Sequence, residues 1–376
     1  MLKGFYLTLM MGPVVAVPVP QSVLDALVSV RVTSASGNKR SGFELTFNIS
    51  NQSPLHTMFL LAGDTLLNIM RVIIVVTVNG TPDVLMDGVI TQHQVGPSSE
   101  PGHSTVTLTG EDLSVVMDWI DFTGIPYPCM PPEARVGVAL LKYLVLGVVP
   151  LVIPSVLIDV PIPIERIPVQ RGTDLEYINH LADQVGYVFY IDPGPEPGQS
   201  FAYWGPEVKF GVPQPALNIN MDAFTNVESL SFKFDNQGGT LPILFIQEPI
   251  SKVPIPIPIP PITPLNPPLG AVMPIPTKFP RITETAKYNP IQGALIGLAK
   301  ASQLGDCVSG MGTLNVLRYG RVLKSRKLVG VRGAGLAFDG LYYVKSVTHD
   351  IKRGEYKQSF ELTRNGLISI TPRVPA

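Results

Sequence analysis

Apolar and polar positions alternate with the two-residue period of a β-strand along much of the chain. Between Ala26 and Thr33, Val28, Val30 and Val32 alternate with Ser29, Arg31 and Thr33. Between Phe43 and Ser50, Phe43, Leu45, Phe47 and Ile49 alternate with Glu44, Thr46, Asn48 and Ser50. Each pattern predicts a strand with one buried face. Val72 to Val78 is an almost unbroken β-branched run that ends in Asn79-Gly80, a strong hairpin-turn signal. Val84 to Val95 and Thr105 to Thr109 add two more strands. Short antiparallel strands with regular turns predict a small barrel.

The period then changes. Gly110-Glu111-Asp112 opens a short predicted helix with Leu113, Val116, Met117 and Ile120 on one side. Thr173-Asp174-Leu175-Glu176 has the form of a capping box, in which hydroxyl and carboxylate satisfy each other's orphan amides. Leu175, Ile178, Leu181, Ala182 and Val185 continue as its apolar stripe, Gly186 ends the helix, and Tyr187 to Ile191 follows as a strand. Alternation returns from Val227 to Phe234. Asn289-Pro290 opens a helix through about Gln303, and strands are predicted at Thr313–Tyr319 and Lys327–Arg332. Last, Tyr342 to His349 and Tyr356 to Thr363 flank the polar turn Ile351 to Glu355, a β-hairpin by composition. Tyr342 and Val344 share one face of its first arm, with Tyr343 and Val347 on the other. A strand apolar on both faces is expected to meet protein on both.

Three stretches depart from this pattern. Glu248 to Pro280 holds twelve prolines, with VPIPIPIPP at its centre. Proline lacks the donor that a helix or sheet interior needs, so polyproline II is expected there, at about 3.1 Å per residue. The interleaved isoleucines argue against a solvated linker and for an arm docked on a neighbouring subunit. Ala134 to Val160 is strongly apolar, but Lys142, Pro150 and Pro154 interrupt it before the ~20 residues that a spanning helix needs. It is expected to be buried against a partner, with no stable membrane insertion. Gly4 to Val17, preceded by Lys3 and broken by Pro13, reads either as a short signal peptide or as a first strand.

Composition sharpens this reading. Only 15% of the 376 residues are charged and 45% are hydrophobic, with a mean hydropathy of +0.27. Apolar surface beyond the needs of a core tends to be interface. The 38 prolines and 34 glycines favour strands joined by turns over long helices. A net charge of −1 gives no footprint for a nucleic-acid partner held through phosphates. Cys129 and Cys307 fit no metal spacing and are expected as two lone buried thiols.

Candidate chemistry is sparse. Gly330 to Gly335 is glycine-rich, but a strand-like run follows where phosphate cradling needs a helix N-terminus, so a tight turn is expected. His56, His93, His103, His180 and His349 show no pairing at helical metal-ligand spacing. His180 is expected at the surface, and His349 as a hydrogen-bonded structural residue. Glu111-Asp112 and Asp118-Asp121 sit where acids serve a helix dipole. No Gly-x-Ser-x-Gly elbow, His-Glu-x-x-His or Cys/His signature is present. The expectation is no catalytic site, no metal and no cofactor.

Two motifs carry a family resemblance. Phe338-Asp339-Gly340, with Tyr342, Val344, Val347 and His349, a short turn, and then Tyr356, Phe360, Leu362 and Arg364, resembles the end of the phage late-control gene D family. These are the baseplate hub proteins of contractile tails, related to the hub half of VgrG. The run from Asp174 and Leu175 through Ile178, Leu181 and Ala182 to Gly186, Tyr187 and Tyr190 resembles the middle domain of that family. Val106, Leu108, Gly110 and Asp112, and Trp204-Gly205-Pro206, add weaker matches.

The resemblance implies a mainly β (α+β) fold. Two tube-like antiparallel β-barrel domains, 1–115 and 216–376, would flank a small α/β domain at 116–215. The Pro/Ile-rich segment 248–280 is an insertion in the second barrel. Residues 4–17 would then be a strand. It implies a homotrimer forming a pseudo-sixfold ring that joins a sixfold inner tube to a threefold spike, without enzymatic activity. The implied partners are further copies of the chain, a separate spike protein, the inner tube protein and baseplate wedge or adaptor proteins. Assembly would occur in the cytoplasm, within a phage-tail-like particle that can be released or held at a membrane. The Pro-Ile segment departs from the simple phage pattern and leans towards an injection system. Two other readings are a hub-associated cell-wall hydrolase and a secreted or envelope β-rich binding protein. No inserted helical domain with a Glu/Asp pair supports the hydrolase. The binding protein would use its Pro-Ile segment to hold a partner.

Overall fold

A computed structural model describes residues 4–37, 40–49, 69–96, 104–155, 167–247, 253–260, 266–282, 290–302 and 305–371. His56, His103, Asn289 and Gln303 fall outside these, as do parts of the Pro/Ile-rich segment and of the apolar run after Ala134.

The N-terminal part supplies β1 (Phe5–Pro13), β2 (Val17–Pro18), α1 (Gln21–Ala26), β3 (Leu27–Ala35), β4 (Gly42–Ile49), β5 (Met70–Val78), β6 (Thr81–Gly96) and β7 (Ser104–Asp112). The middle supplies α2 (Pro132–Leu141), β8 (Val148–Val152), α3 (Asp174–Val185), β9 (Val188–Pro193) and β10 (Ser200–Gly205). Then come β11 (Gln214–Asn218), β12 (Val227–Phe234), β13 (Ile243–Gln247), β14 (Pro254–Pro258), β15 (Gly270–Val272), β16 (Arg281–Ile282) and α4 (Pro290–Ser302). The chain closes with β17 (Val308–Asn315), α5 (Val316–Tyr319), β18 (Leu328–Arg332), β19 (Gly340–Lys352), β20 (Glu355–Arg364) and β21 (Leu367–Ser369).

Both ends of the chain build one 13-stranded sheet, in the order β12-β17-β20-β19-β3-β4-β7-β6-β5-β1-β2, with β18 also on β19 and β11 on β18. The seam between the ends is the antiparallel pairing of Ser29–Ala35 with Ser346–Lys352. One apolar cluster runs across that seam and includes Leu45, Phe47, Val72 and Leu108 with Leu314, Val344, Tyr356 and Leu362. The alternation in the sequence thus marks the shared interior. Residues 5–13 are the strand β1, paired along its length with β5, which answers the either-or reading of the N-terminal run in favour of a strand within the sheet.

A second core belongs to the middle segment. Leu113, Met117, Val136, Leu140, Ile178, Leu181 and Trp204 meet there, above the mixed sheet β8-β10-β9. The capping box forms as expected, with Thr173 Oγ1 accepting from the Glu176 amide and Glu176 accepting from the Thr173 amide. Gly186 ends α3 at φ +73, and a Cβ there would lie 2.6 Å from the Ala299 Cβ of α4. Both the turn and the close approach of the two helices therefore require glycine.

Several expectations are corrected. Gly110 and Glu111 remain in β7, and the helix after it is a 3-10 turn, Leu113–Asp118, capped by Asp112. The strand expected at Thr313–Tyr319 lies earlier, at β17, because Asn315 caps the short helix α5 by accepting from the Leu317 and Arg318 amides. Apart from these corrections, the described part of the apolar run after Ala134 forms a helix, a 3-10 turn (Leu144–Leu146) and a strand. Val347 joins Tyr342 and Val344 in the main core, because a bulge between Val344 and Ser346 reverses the strand parity. Tyr343 does occupy the other face, buried with Leu269 and Leu328. Of the two free thiols Cys307 is buried, but Cys129 is exposed in a left-handed turn at φ +57.

The Pro-Ile repeat is corrected too. Its described part is not free polyproline II but β14, paired antiparallel with β13 of the same chain. It sits at the edge of the small sheet β14-β13-β16, a sheet position that tolerates proline.

Candidate assembly surface

The signature residues other than His349 fall into two clusters. In the C-terminal cluster, Arg364 is 1% exposed. Its Nε donates to Gly366 O at 2.7 Å, Nη1 to Asp339 O at 2.9 Å and Nη2 to Ala337 O at 2.7 Å. The guanidinium lies 4.4 Å from the Tyr342 ring centroid. Tyr342 donates to Phe338 O at 2.7 Å, Phe338 stacks on Phe232 at 5.1 Å, and the Asp339 carboxylate accepts from the Ala334 amide. Gly340 has φ +127, and a Cβ there would approach Ser369 within 2.4 Å. Phe338, Asp339, Gly340, Tyr342 and Arg364 thus form one unit that ties the loop before β19 to the end of β20. Val344 and Phe360 contribute apolar side chains to the neighbouring core.

His349 is a separate buried site. Gln358 is clamped on the Leu323 backbone, accepting from its amide at 2.9 Å and donating to its carbonyl at 2.8 Å. That orientation points its Nε2–H at His349 Nδ1, 3.3 Å away, and the Tyr356 hydroxyl lies 2.7 Å from the same nitrogen. Nδ1 therefore accepts, which places the proton of the neutral ring on Nε2. Burial pushes the imidazole down to about 3.

A group held neutral in the fold but free to protonate in the unfolded chain removes stability as pH falls through the ordinary histidine range. Between pH 6.5 and pH 4 this costs about 3 kcal/mol. Denaturant titrations of the parent and His349→Gln at both pH values are expected to show a shallower pH dependence in the variant. Parallel profiles would refute the assignment.

In the middle cluster, Asp174 is fully buried. Its carboxylate accepts from Lys142 Nζ at 2.8 Å, Tyr143 Oη at 2.7 Å and Gln170 Nε2 at 2.8 Å. Burial, then the carboxylate, raise the Tyr143 phenol well above its usual range. Lys142 also sits 3.7 Å from the Phe122 ring centroid. Asp174 thereby fixes α3 to the turn after α2. Leu175, Gly186 and Tyr187 complete this unit, with Tyr187 edge-on to Trp204 at 4.9 Å.

The two clusters belong to different parts of the fold. His93 lies exposed on β6, and His180 lies exposed on α3 beside Gln184. Among the described residues no three His, Cys, Asp or Glu side chains converge as metal ligands.

Sequence reasoning missed a third cluster. Arg71 of β5 makes two bonds to Asp87 of β6, at 2.7 and 2.6 Å, with both side chains almost wholly buried. Arg71 also donates to Gly198 O at 3.1 Å, and Ser200 Oγ donates to Asp87 at 3.1 Å. The pair bolts the main sheet to the loop before β10. Its signal was Arg71, the lone charge of the apolar strand β5, with Asp87 between Met86 and Gly88 of β6.

Between the outer face of the main sheet and the middle segment lies a cleft of about 590 Å³, lined by Glu207, Lys209, Asp306, Tyr343, Lys345 and Glu361 among others. Lys209 pairs with Asp306 at 2.9 Å, and burial raises the Glu207 carboxyl.

The surface carries unusual apolar exposure. The unit from α2 to β8 leaves Leu141, Leu144, Val145 and Leu151 at 56, 47, 79 and 47% exposure. Along the outer edge of β12, Glu228, Ser229, Ser231 and Lys233 are exposed.

No family model and no curated protein sequence matches the chain. Solved structures do. A tail protein from Neisseria meningitidis MC58 superposes with a TM-score of 0.64 at 14% identity, over 97% of this chain and 98% of that one.

The fold is that of a phage tail protein.

The 43 kDa tail protein of prophage MuSo2 from Shewanella oneidensis gives a TM-score of 0.58 at 12% identity, covering 96% and 98%. A chain of the Francisella PdpA–VgrG complex gives 0.59 at 8% identity, and this chain, matched over 100% of its length, spans 55% of that one. At these identities the tail-protein likeness is one of fold: mainly β, organised on a large antiparallel sheet.

Proposed function

We propose that this chain is the structural baseplate hub of a phage tail or contractile injection system. In this reading it is a homotrimer whose two tube-like β domains, 1–115 and 216–376, alternate around an axis to give a pseudo-sixfold ring. The segment 116–215 braces them from outside. The ring joins a sixfold inner tube to the threefold spike, a separate protein. Wedge or adaptor proteins contact it laterally, and it assembles in the cytoplasm. Its role is geometric, with no bond made or broken.

The observation that carries this reading is the seam between β3 and β19. The two strand-rich ends of one chain already pair edge to edge, and the sheet ends at β12 on one side and at β1 with the two-residue β2 on the other. A head-to-tail contact between such unlike edges closes into a ring when the rotation permits. The exposed leucines between α2 and β8 offer further surface for permanent contacts. The fold shared with tail proteins over nearly the full chain supports the same reading.

The test is the mass of the purified protein in solution, alone and mixed with the candidate spike protein from the same gene neighbourhood. A trimer, or a trimer formed only with the spike, is expected. A monomer at high concentration that ignores the spike would overturn the proposal.

A further inference from the structure

The Pro-Ile repeat has a directionality that its composition hides. In an antiparallel pair each residue points both its amide and its carbonyl to the same side, and successive residues alternate sides. Ile259 donates to Pro242 O at 2.9 Å, on the β13 side. With a period of two, Ile257 and Ile255 point the same way, and Pro254, Pro256 and Pro258 point outward. The register agrees: Pro258 lies opposite Ile243, whose amide turns away from β14 to Pro280 O at 2.9 Å. Every residue able to donate therefore faces inward, and every residue facing outward has no donor.

The side chains divide by the same rule. Ile257 and Ile259 pack with Leu244 of β13 and with Leu298 and Ala301 of α4, and the proline rings take the opposite face. Pro254, Pro256 and Pro258 are all exposed, and among the described residues no strand pairs with the outer edge of β14. An uncovered apolar edge would ordinarily recruit another strand, and natural proteins block such edges with proline among other devices.

We propose that β14 is a guard strand. It closes the small sheet to strand addition and keeps pairing between copies of this chain away from that edge. The isoleucines fasten the strand inward, while the prolines remove three successive outward donors that an incoming strand would need.

The experiment restores those donors. In P254T/P256T/P258T the outward side regains three amides while the isoleucines stay in place. By light scattering coupled to gel filtration, the variant is expected to grow in mass with concentration, at least twofold beyond the parent at matched concentration. An infrared band for intermolecular strands should appear with that growth. P254T/P256K/P258T restores the same donors with a charge at the centre of the edge and is expected to return to the parent mass. P256T alone, which adds one donor at mid-strand, decides the matter by the same comparison if circular dichroism shows the triple variant unfolded. A folded threonine variant with the parent mass, or association that the lysine does not suppress, would overturn the proposal. The parent's own oligomeric state is the baseline, so a failed ring proposal is read from the parent and a failed guard from the variants.

Discussion

Arg364→Ala is expected to lose about 3–5 kcal/mol of unfolding free energy, among the largest effects of any single change outside the apolar core. The carbonyls of Asp339 and Gly366 take their donors from one guanidinium, which also bonds Ala337 O beside the Ile368 amide. Truncation leaves them in a site with 1% solvent exposure and removes the cation from the Tyr342 ring. Each charge-assisted bond contributes roughly 1.5–3 kcal/mol, offset in part by water that enters the vacated space. Arg364→Lys should recover only a minor fraction, because an ammonium cannot present three coplanar donors to carbonyls spread around the fork. Guanidinium chloride titrations of the three proteins test this. A loss below about 1 kcal/mol for the alanine variant, or full recovery by lysine, would show that the network is incidental.

Asp87→Ala is the second large effect, at about 3–5 kcal/mol, because it strands a buried arginine. Arg71 and Asp87 side chains are 6% and 0% exposed, so water cannot readily replace the missing partner. The double variant R71M/D87L replaces the pair by apolar groups of similar size and should lie much nearer the parent. The pair would then show a coupling of more than about 2 kcal/mol in a double-mutant cycle.

A spatial signature should accompany it. Arg71 holds Gly198 O and Asp87 holds Ser200, so Asp87→Ala should speed amide exchange around Gly198–Ser200 more than in β3 and β4. Uniform exchange across the sheet, or additive single and double effects, would count against the bolt.

How much of this was legible beforehand follows from the range of the forces involved. The strands β3, β4 and β5, the Thr173–Glu176 capping box and the Gly186 stop rest on side-chain period and on contacts within a few residues. Those are properties of a short window, and the sequence by itself determined them. It also determined the hairpin β19–β20, whose aromatic and β-branched arms meet across the two-residue turn Arg353-Gly354.

Other features depended on partners distant in the chain. The bulge that turns Val347 into the main core is fixed by pairing with β20 and with β3, more than 300 residues away. Arg71 finds Asp87, Gly198 and Ser200 only once the sheet and the middle segment have met. Proline's missing donor was visible in the sequence and excluded a sheet interior. Only the register with β13 showed that alternate isoleucines could supply every inward bond while the prolines face out. The sequence limits which backbone groups can bond. The tertiary structure decides which side of the strand they face, because that depends on a neighbour no local window contains.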